Sequence, residues 1–216
     1  MKFKAAIFDM DGLLLDTERV CKTIFQQACD ALNLPFLESA YLNIIGCNSK
    51  RCEEILTGAY GADYQPLHNE WKRRYQAVVM HEPIPVKQGV IELLDWLHNQ
   101  SIPMAVATST ENNVAKTKLR LAGLDQYFQN LTTGCEVSNS KPDPEIYLLA
   151  ASRLEVSPDV CLSFEDSNNG IKAAVAAGTI AYQIPDLIQP TDEVIALGHS
   201  IEPSLTDVLT KLKSIH

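Results

Sequence analysis

The sequence predicts an α/β protein: a mostly parallel sheet with helices on both faces, plus a small all-helical stretch inserted after the first strand. Two observations predict it. From residue 88 onward, strand-like and helix-like segments alternate, the rhythm of a parallel sheet covered by crossover helices. Between residues 17 and 83 nothing strand-like stands out, and Glu82-Pro83-Ile84-Pro85 then breaks the helical pattern like a linker. The reading therefore assigns residues 1–15 and 85–216 to the sheet-containing core and residues 16–84 to the insert.

Each element has its own signal. Residues 4–8 (Lys-Ala-Ala-Ile-Phe) read as a short buried strand ending at the acidic turn Asp9-Met10-Asp11-Gly12. Residues 17–33 read as a helix, because Ile24, Phe25, Ala28, Cys29 and Leu32 recur at helical spacing and Pro35 follows. Two further helices are expected near 48–58 and 67–80. Past the linker, 88–99 is an amphipathic helix with Ile91, Leu94 and Leu97 inward. Residues 103–107 form a strand ending at Thr108-Ser109-Thr110, and 112–122 a helix that Gly123 closes. A short strand at 131–133 and a helix at 143–154 follow. Val160–Phe164 is a strand ending at Glu165-Asp166, 168–177 a helix stopped by Gly178, and 179–183 a strand. A last helix near 204–213 shows Leu205, Val208, Leu209 and Leu212 on one side.

Composition narrows the function classes. The chain has 216 residues, a size that fits one domain with a smaller insert, and a 46% hydrophobic fraction that can build a core. A formal charge of -9 repels a phosphate backbone, so no nucleic-acid partner is expected. Lys72-Arg73-Arg74, the longest basic cluster, reads as a solvated helix face. The six cysteines show no C-x-x-C pair or zinc spacing, and read as small buried hydrophobes of a reduced, cytoplasmic protein. Neither a signal peptide nor a membrane span is expected.

In an open α/β sheet, ligands bind beyond the carboxyl ends of the strands. Those ends deliver Asp9 and Asp11, then Thr108 and Ser109, then Glu165 and Asp166, and Lys141 lies in the loop before a helix. Each fragment has an ordinary reading: a turn, a helix cap or a surface lysine. Their joint placement on one rim points to chemistry. Crowded carboxylates repel unless a divalent cation sits among them. Asp9, Asp166 and the Asp11 carbonyl suit Mg²⁺, a hard ion that takes oxygen ligands. Lys141 adds a positive charge, and Thr108 or Ser109 can donate hydrogen bonds to phosphate oxygens. Asp9 is then the expected nucleophile toward phosphorus, and Asp11 the group that handles the leaving group's proton. The expected substrate is a small phosphorylated molecule.

These segments resemble the motifs of the haloacid dehalogenase superfamily. Phe8-Asp9-Met10-Asp11-Gly12-Leu13-Leu14-Leu15-Asp16-Thr17-Glu18 is similar to its first motif and Thr108-Ser109 to its second. Lys141-Pro142-Asp143-Pro144 is similar to the third, and Phe164-Glu165-Asp166-Ser167-Asn168-Asn169-Gly170 to the fourth. The resemblance implies a Rossmann-like three-layer core with a helical cap inserted after motif one. It also implies Asp9 as nucleophile, Asp11 as general acid/base, and Mg²⁺ on Asp9, the Asp11 carbonyl and Asp166, with Glu165 a direct or water-mediated neighbour of the ion. The aspartate at position 11 separates the family's phosphatases and phosphomutases from its dehalogenases.

Within the family the chain resembles the branch of β-phosphoglucomutases, sugar-phosphate phosphatases and pseudouridine-5′-phosphatase. Cys21 and Ser49 stand where β-phosphoglucomutases carry a histidine and an arginine, which favours a phosphatase over a mutase. Candidate substrate-binding residues are Asn112 beside the Thr108 motif and Asn43, Gly46, Lys50 and Lys72 in the cap. Trp71 and Trp96 are expected to pack rather than stack on a ligand. The expectation is a phosphatase, as a monomer or weak dimer. A sugar phosphomutase and a receiver-like signalling protein phosphorylated on Asp9 are the alternatives.

Overall fold

The computed structural model describes residues 3–45 and 49–214. It contains a six-stranded sheet, β1 (Ala5–Phe8), β2 (Met104–Thr108), β3 (Asn130–Thr133), β4 (Cys161–Glu165), β5 (Ile180–Gln183) and β6 (Ser200–Ile201), in the order β3-β2-β1-β4-β5-β6. Every neighbouring pair is parallel. The connections turn opposite ways on the two sides of β1, so β1 and β4 flank the switch point where such sheets open a crevice.

The strands alternate their side chains between two apolar layers. Ala6, Phe8, Met104, Val106, Leu162 and Phe164 face α5 (Val90–Asn99), α6 (Asn112–Leu121) and α10 (Leu205–Ser214). Ala5, Ile7, Ala105, Ala107 and Cys161 face α7 (Glu145–Arg153), α8 (Asn168–Ala176) and α9 (Asp192–Ile195). The small residues on this second side let α7 and α8 approach closely. The Phe8 and Phe164 rings stack at 4.7 Å between centroids, which fixes β1 against β4 just below the strand ends.

Between β1 and β2 the chain inserts α1 (Thr17–Ala31), α2 (Glu38–Ile44), α3 (Ser49–Tyr60) and α4 (Tyr64–His81). They enclose their own aromatic core, in which Phe25 is fully buried against Tyr41, Tyr60 and Trp71. Burying one such ring contributes about 1.5–3 kcal/mol. Val20, Tyr75, Val78 and Val79 reach across to the sheet's apolar layer. The chain leaves and re-enters the sheet side by side. Asp16 N–H donates to the Pro85 carbonyl at 2.8 Å, Lys87 N–H to the Leu14 carbonyl at 3.0 Å, and Leu15 bridges Val86 in antiparallel fashion. Asp186, after β5, holds both crossings through Lys87 at 2.7 Å and Arg19 at 3.2 Å.

Some sequence expectations need correction. Ile91 is exposed, because α5 turns Val90, Leu93, Leu94 and Leu97 inward instead. Leu32 caps α1 and is also exposed. Cys29 and Cys161 are buried as expected, Cys21 and Cys52 only partly, and Cys135 is exposed on a turn. Cys47 lies outside the described residues, as does the proposed ligand Gly46. Trp71 and Trp96 both pack against apolar clusters. Among the described residues, no helix is long and apolar enough to cross a membrane.

Candidate active site

The carboxyl ends of β1 and β4 bring Asp9, Glu165 and Asp166 together, with carboxylate oxygens within 4.8 Å of one another. The register dictates it: Phe8 pairs with Phe164, so Asp9 and Glu165 emerge side by side, and Asp9 N–H donates to the Phe164 carbonyl at 3.0 Å. Lys141 enters from the loop before α7. Its ammonium donates to Asp9 Oδ1 at 2.5 Å, to Glu165 Oε1 at 2.6 Å and to the Ala107 carbonyl at 3.0 Å. Tyr147, on the inward face of α7, donates to the same Glu165 oxygen at 2.6 Å.

Two glycines leave room for these carboxylates. A Cβ on Gly12, whose φ is +87°, would lie 2.2 Å from Asp166 Oδ2. A Cβ on Gly170 would lie 2.0 Å from the Glu165 carboxyl group. Gly170 follows Ser167, which caps α8 by accepting from the Gly170 N–H at 3.0 Å.

Charge at this cluster is unbalanced. Three carboxylates face one ammonium, an excess of two negative charges. Burial lifts the Asp9 carboxyl to about 7 against the pull of Lys141, with Glu165 and Asp11 adding to the rise. Burial, then repulsion from Asp9 and Glu165, pushes Asp166 well above the usual carboxylate range. Lys141 stays charged because the attraction of Asp9 and Glu165 outweighs its burial. A divalent cation bound by oxygen would restore the balance, so the residues present fit Mg²⁺. Glu165 is fully buried and one of its oxygens is taken up by Lys141 and Tyr147. This leaves Asp9 and Asp166 as the carboxylates better placed to hold an ion, with Glu165 positioning Lys141.

Asp11 sits in a second, adjacent network. Its Oδ2 accepts from Thr110 Oγ1 at 2.6 Å and from Thr108 Oγ1 at 3.4 Å, and its Oδ1 from Lys118 Nζ at 2.7 Å. Glu18, in the first turn of α1, lies near by, and burial followed by repulsion from Asp11 and Asp186 raises its pKa.

The structure thus gathers Asp9, Asp11, Thr108, Lys141, Glu165 and Asp166 at the strand ends. Ser109 is exposed beside them, with its carbonyl 2.6 Å from where a Cβ on Gly134 would stand. Asn112 opens α6 half-buried, and Asn43, Lys50 and Lys72 are exposed on the inserted helices. Sequence reasoning missed Thr110, Lys118, Tyr147 and Tyr75. A signal existed for one of them: Lys118 interrupts the apolar stripe of Ala115 and Leu119.

Comparison with known proteins agrees with this geometry. Residues 6–183 match the family described as haloacid dehalogenase-like hydrolase. A Thermotoga maritima protein named phosphorylated carbohydrates phosphatase is 35% identical over 81% of this chain and 82% of its own. Fructose-1-phosphate phosphatase YqaB of Escherichia coli is 30% identical over 85% of this chain and 97% of its own. The β-phosphoglucomutase of Bacillus subtilis is 32% identical over 82% of this chain and 81% of its own. A crystal structure described as a putative β-phosphoglucomutase from Thermotoga maritima superposes with a TM-score of 0.84 at 30% identity, covering 99% of this chain and 100% of that one. The parallel sheet, the acidic strand ends and these matches lead to one conclusion: the chain belongs to the haloacid dehalogenase-like hydrolase family.

Proposed function

We propose that this chain is a Mg²⁺-dependent phosphatase that hydrolyses a small phosphorylated metabolite, a sugar phosphate or nucleotide-like monophosphate, through an aspartyl phosphate on Asp9. The observation that carries the reading is the cluster of Asp9, Asp166, Glu165 and Lys141 at the sheet's switch point. The named phosphatases among the relatives support the substrate class. The hydrolase family favours an enzyme over a receiver-like signalling protein.

Asp9, Asp166 and the Asp11 carbonyl would hold the ion, which when bound offsets negative charge on the carboxylates and the phosphate. Lys141 adds a fixed positive charge at the same place, and Thr108 and Ser109 offer donors to phosphate oxygens. The Asp9 carboxylate attacks phosphorus in line, forming an acyl phosphate as the ester P–O bond breaks. Asp11 gives its proton to the departing alkoxide. The same carboxylate then takes a proton from water. That water attacks the acyl phosphate, releasing inorganic phosphate and restoring Asp9.

In this reading residues 1–15 and 85–216 form the catalytic core, and residues 16–84 act as a cap that closes over the substrate and excludes bulk water. Gly46, Lys50 and Asn112 are the proposed substrate contacts of the cap and the motif-two loop. The enzyme works in the cytoplasm as a monomer or weak dimer, without a nucleic-acid or membrane partner.

Phosphate release from a panel of phosphorylated metabolites, with Mg²⁺ and after chelation, tests the reading. The expected result is metal-dependent release that Asp9→Asn abolishes while its circular dichroism stays native. Wild-type turnover by Asp9→Asn would refute the nucleophile. The resemblance to the Bacillus subtilis β-phosphoglucomutase keeps a second reading open. An isomerised sugar phosphate with little phosphate released, and dependence on a bisphosphate primer, would establish a mutase instead.

A further inference from the structure

Asp11 is held by a part of the molecule that lies away from the strand ends. Lys118 sits within α6, on the face that carries Ala115 and Leu119 into the core, and its side chain is 2% exposed. Its ammonium donates to Asp11 Oδ1 at 2.7 Å and to the Tyr75 hydroxyl at 3.0 Å. Tyr75 belongs to α4, one of the inserted helices. A buried ammonium is costly unless it is paired, and an apolar side chain would serve packing as well or better. The position therefore calls for an explanation beyond stability.

That explanation lies in what Lys118 does to Asp11. Lys118 fixes one carboxylate oxygen, and Thr110 fixes the other at 2.6 Å. Two donors on two oxygens set the plane of the carboxyl group. Thr108, Thr110 and Lys118 leave about one of the carboxyl group's four lone-pair sites free, and that site can carry the proton toward a substrate oxygen. Proton transfer to a leaving group requires hydrogen-bond reach and alignment, and a small misplacement is expensive in rate.

We infer that Lys118 is a positioning residue for Asp11, and that Tyr75 makes the seat of Asp11 depend on where the inserted helices lie. The inference rests on the phosphatase reading, in which Asp11 handles the leaving group's proton. Lys118 touches neither substrate nor ion in this scheme. It acts through Asp11, and Tyr75 acts through Lys118.

The test compares Lys118→Met and Tyr75→Phe with wild type on two substrates. One is p-nitrophenyl phosphate, whose leaving phenolate departs without a proton. The other is fructose 1-phosphate, or whichever sugar monophosphate wild type hydrolyses fastest, whose alkoxide needs one. The measured quantity is kcat/KM, which covers the steps through departure of the leaving group and excludes hydrolysis of the acyl phosphate. Lys118→Met is expected to lose about 100-fold on the sugar phosphate and less than about fivefold on the aryl ester. Tyr75→Phe should lose about fivefold with the same preference.

Equal losses on both substrates would make Lys118 a structural residue and overturn the inference. So would no loss, or a gain on the sugar phosphate. A selective loss in Lys118→Met without one in Tyr75→Phe would overturn the link to the inserted helices. If Lys118→Met lacks a cooperative thermal transition, the Tyr75→Phe comparison decides. A wild-type enzyme that releases phosphate from neither substrate, nor from any nucleotide-like monophosphate of the panel, would refute the phosphatase reading and take the inference with it.

Discussion

Two buried lysines organise the strand ends, and they are built differently. Lys141 is enclosed by the sheet domain: Asp9 comes from β1, Glu165 from β4, Ala107 from β2 and Tyr147 from α7. Lys118 straddles a boundary, with Asp11 and α6 on one side and Tyr75 of α4 on the other. Each ammonium lies over a tyrosine ring, at 5.2 Å for Lys141 and Tyr147 and 5.4 Å for Lys118 and Tyr75. The first centre is rigid by construction, since its partners come from three neighbouring strands and the helix packed on them. The second is only as fixed as the contact between α4 and α6. On the proposed mechanism the nucleophile Asp9 sits in the first setting and the proton-handling Asp11 in the second.

Substitutions can break or sharpen this contrast. The largest effect is expected from Lys141→Met. It leaves Glu165 buried beside Asp9 without its cation, at a cost of about 3–5 kcal/mol in stability. Turnover should fall about 10²–10³-fold, as for loss of one preorganised charge. Thermal melts and phosphate-release kinetics would check both, and a mild phenotype would mean that the Lys141 centre is not the rigid one.

Gly170→Ala should come next. Its Cβ meets the Glu165 carboxyl at 2.0 Å, so either α8 shifts or Glu165 leaves its place, for about 1–3 kcal/mol of destabilisation on the overpacking scale. Denaturant titration measures it, and an unchanged midpoint would show that α8 yields freely. Tyr147→Phe should be milder, costing about 0.5–1.5 kcal/mol, because Glu165 keeps Lys141 and Ser167 as donors.

The smallest effect concerns an ion pair remote from both lysines. Glu136 accepts from Arg153 and from the backbone and hydroxyl of Thr133, each at 2.8 Å, and Arg153 foremost lowers its pKa to about 2 from an ordinary 4.5. A carboxylate depressed on folding contributes stability that is complete above the unfolded pKa and is lost as pH falls through the folded one. Glu136→Gln should therefore lower stability by a constant amount above about pH 4.5 and flatten its fall between about pH 4.5 and pH 2. Acid titration of the melting temperature would show this. A fall in stability between about pH 4.5 and pH 2 as steep as that of wild type would contradict it.

The same contrast explains what the sequence revealed. The Lys141 centre was legible because acidic residues at the ends of short apolar strands, and a Lys-Pro loop, lie where a parallel sheet must gather them. The Lys118 centre was not. Lys118 is an interior helix position whose partner Tyr75 is 43 residues away, and neither lies near a strand end. Fold class and the inserted helices were readable from the change of rhythm at Pro83 and Pro85. The seven-residue α2 carried too few turns to show a period. The four-residue α9 and two-residue β6 are shorter still, and they form where packing against α8 and pairing with β5 favour them.

The paired crossings at Leu14–Asp16 and Pro85–Lys87 have a consequence for the evolution of such enzymes. Partners across an antiparallel ladder stand about 5 Å apart. The whole helical excursion is therefore spliced into the sheet through one narrow port. Lengthening, shortening or exchanging what hangs from that port leaves the strands and their acidic ends unstretched.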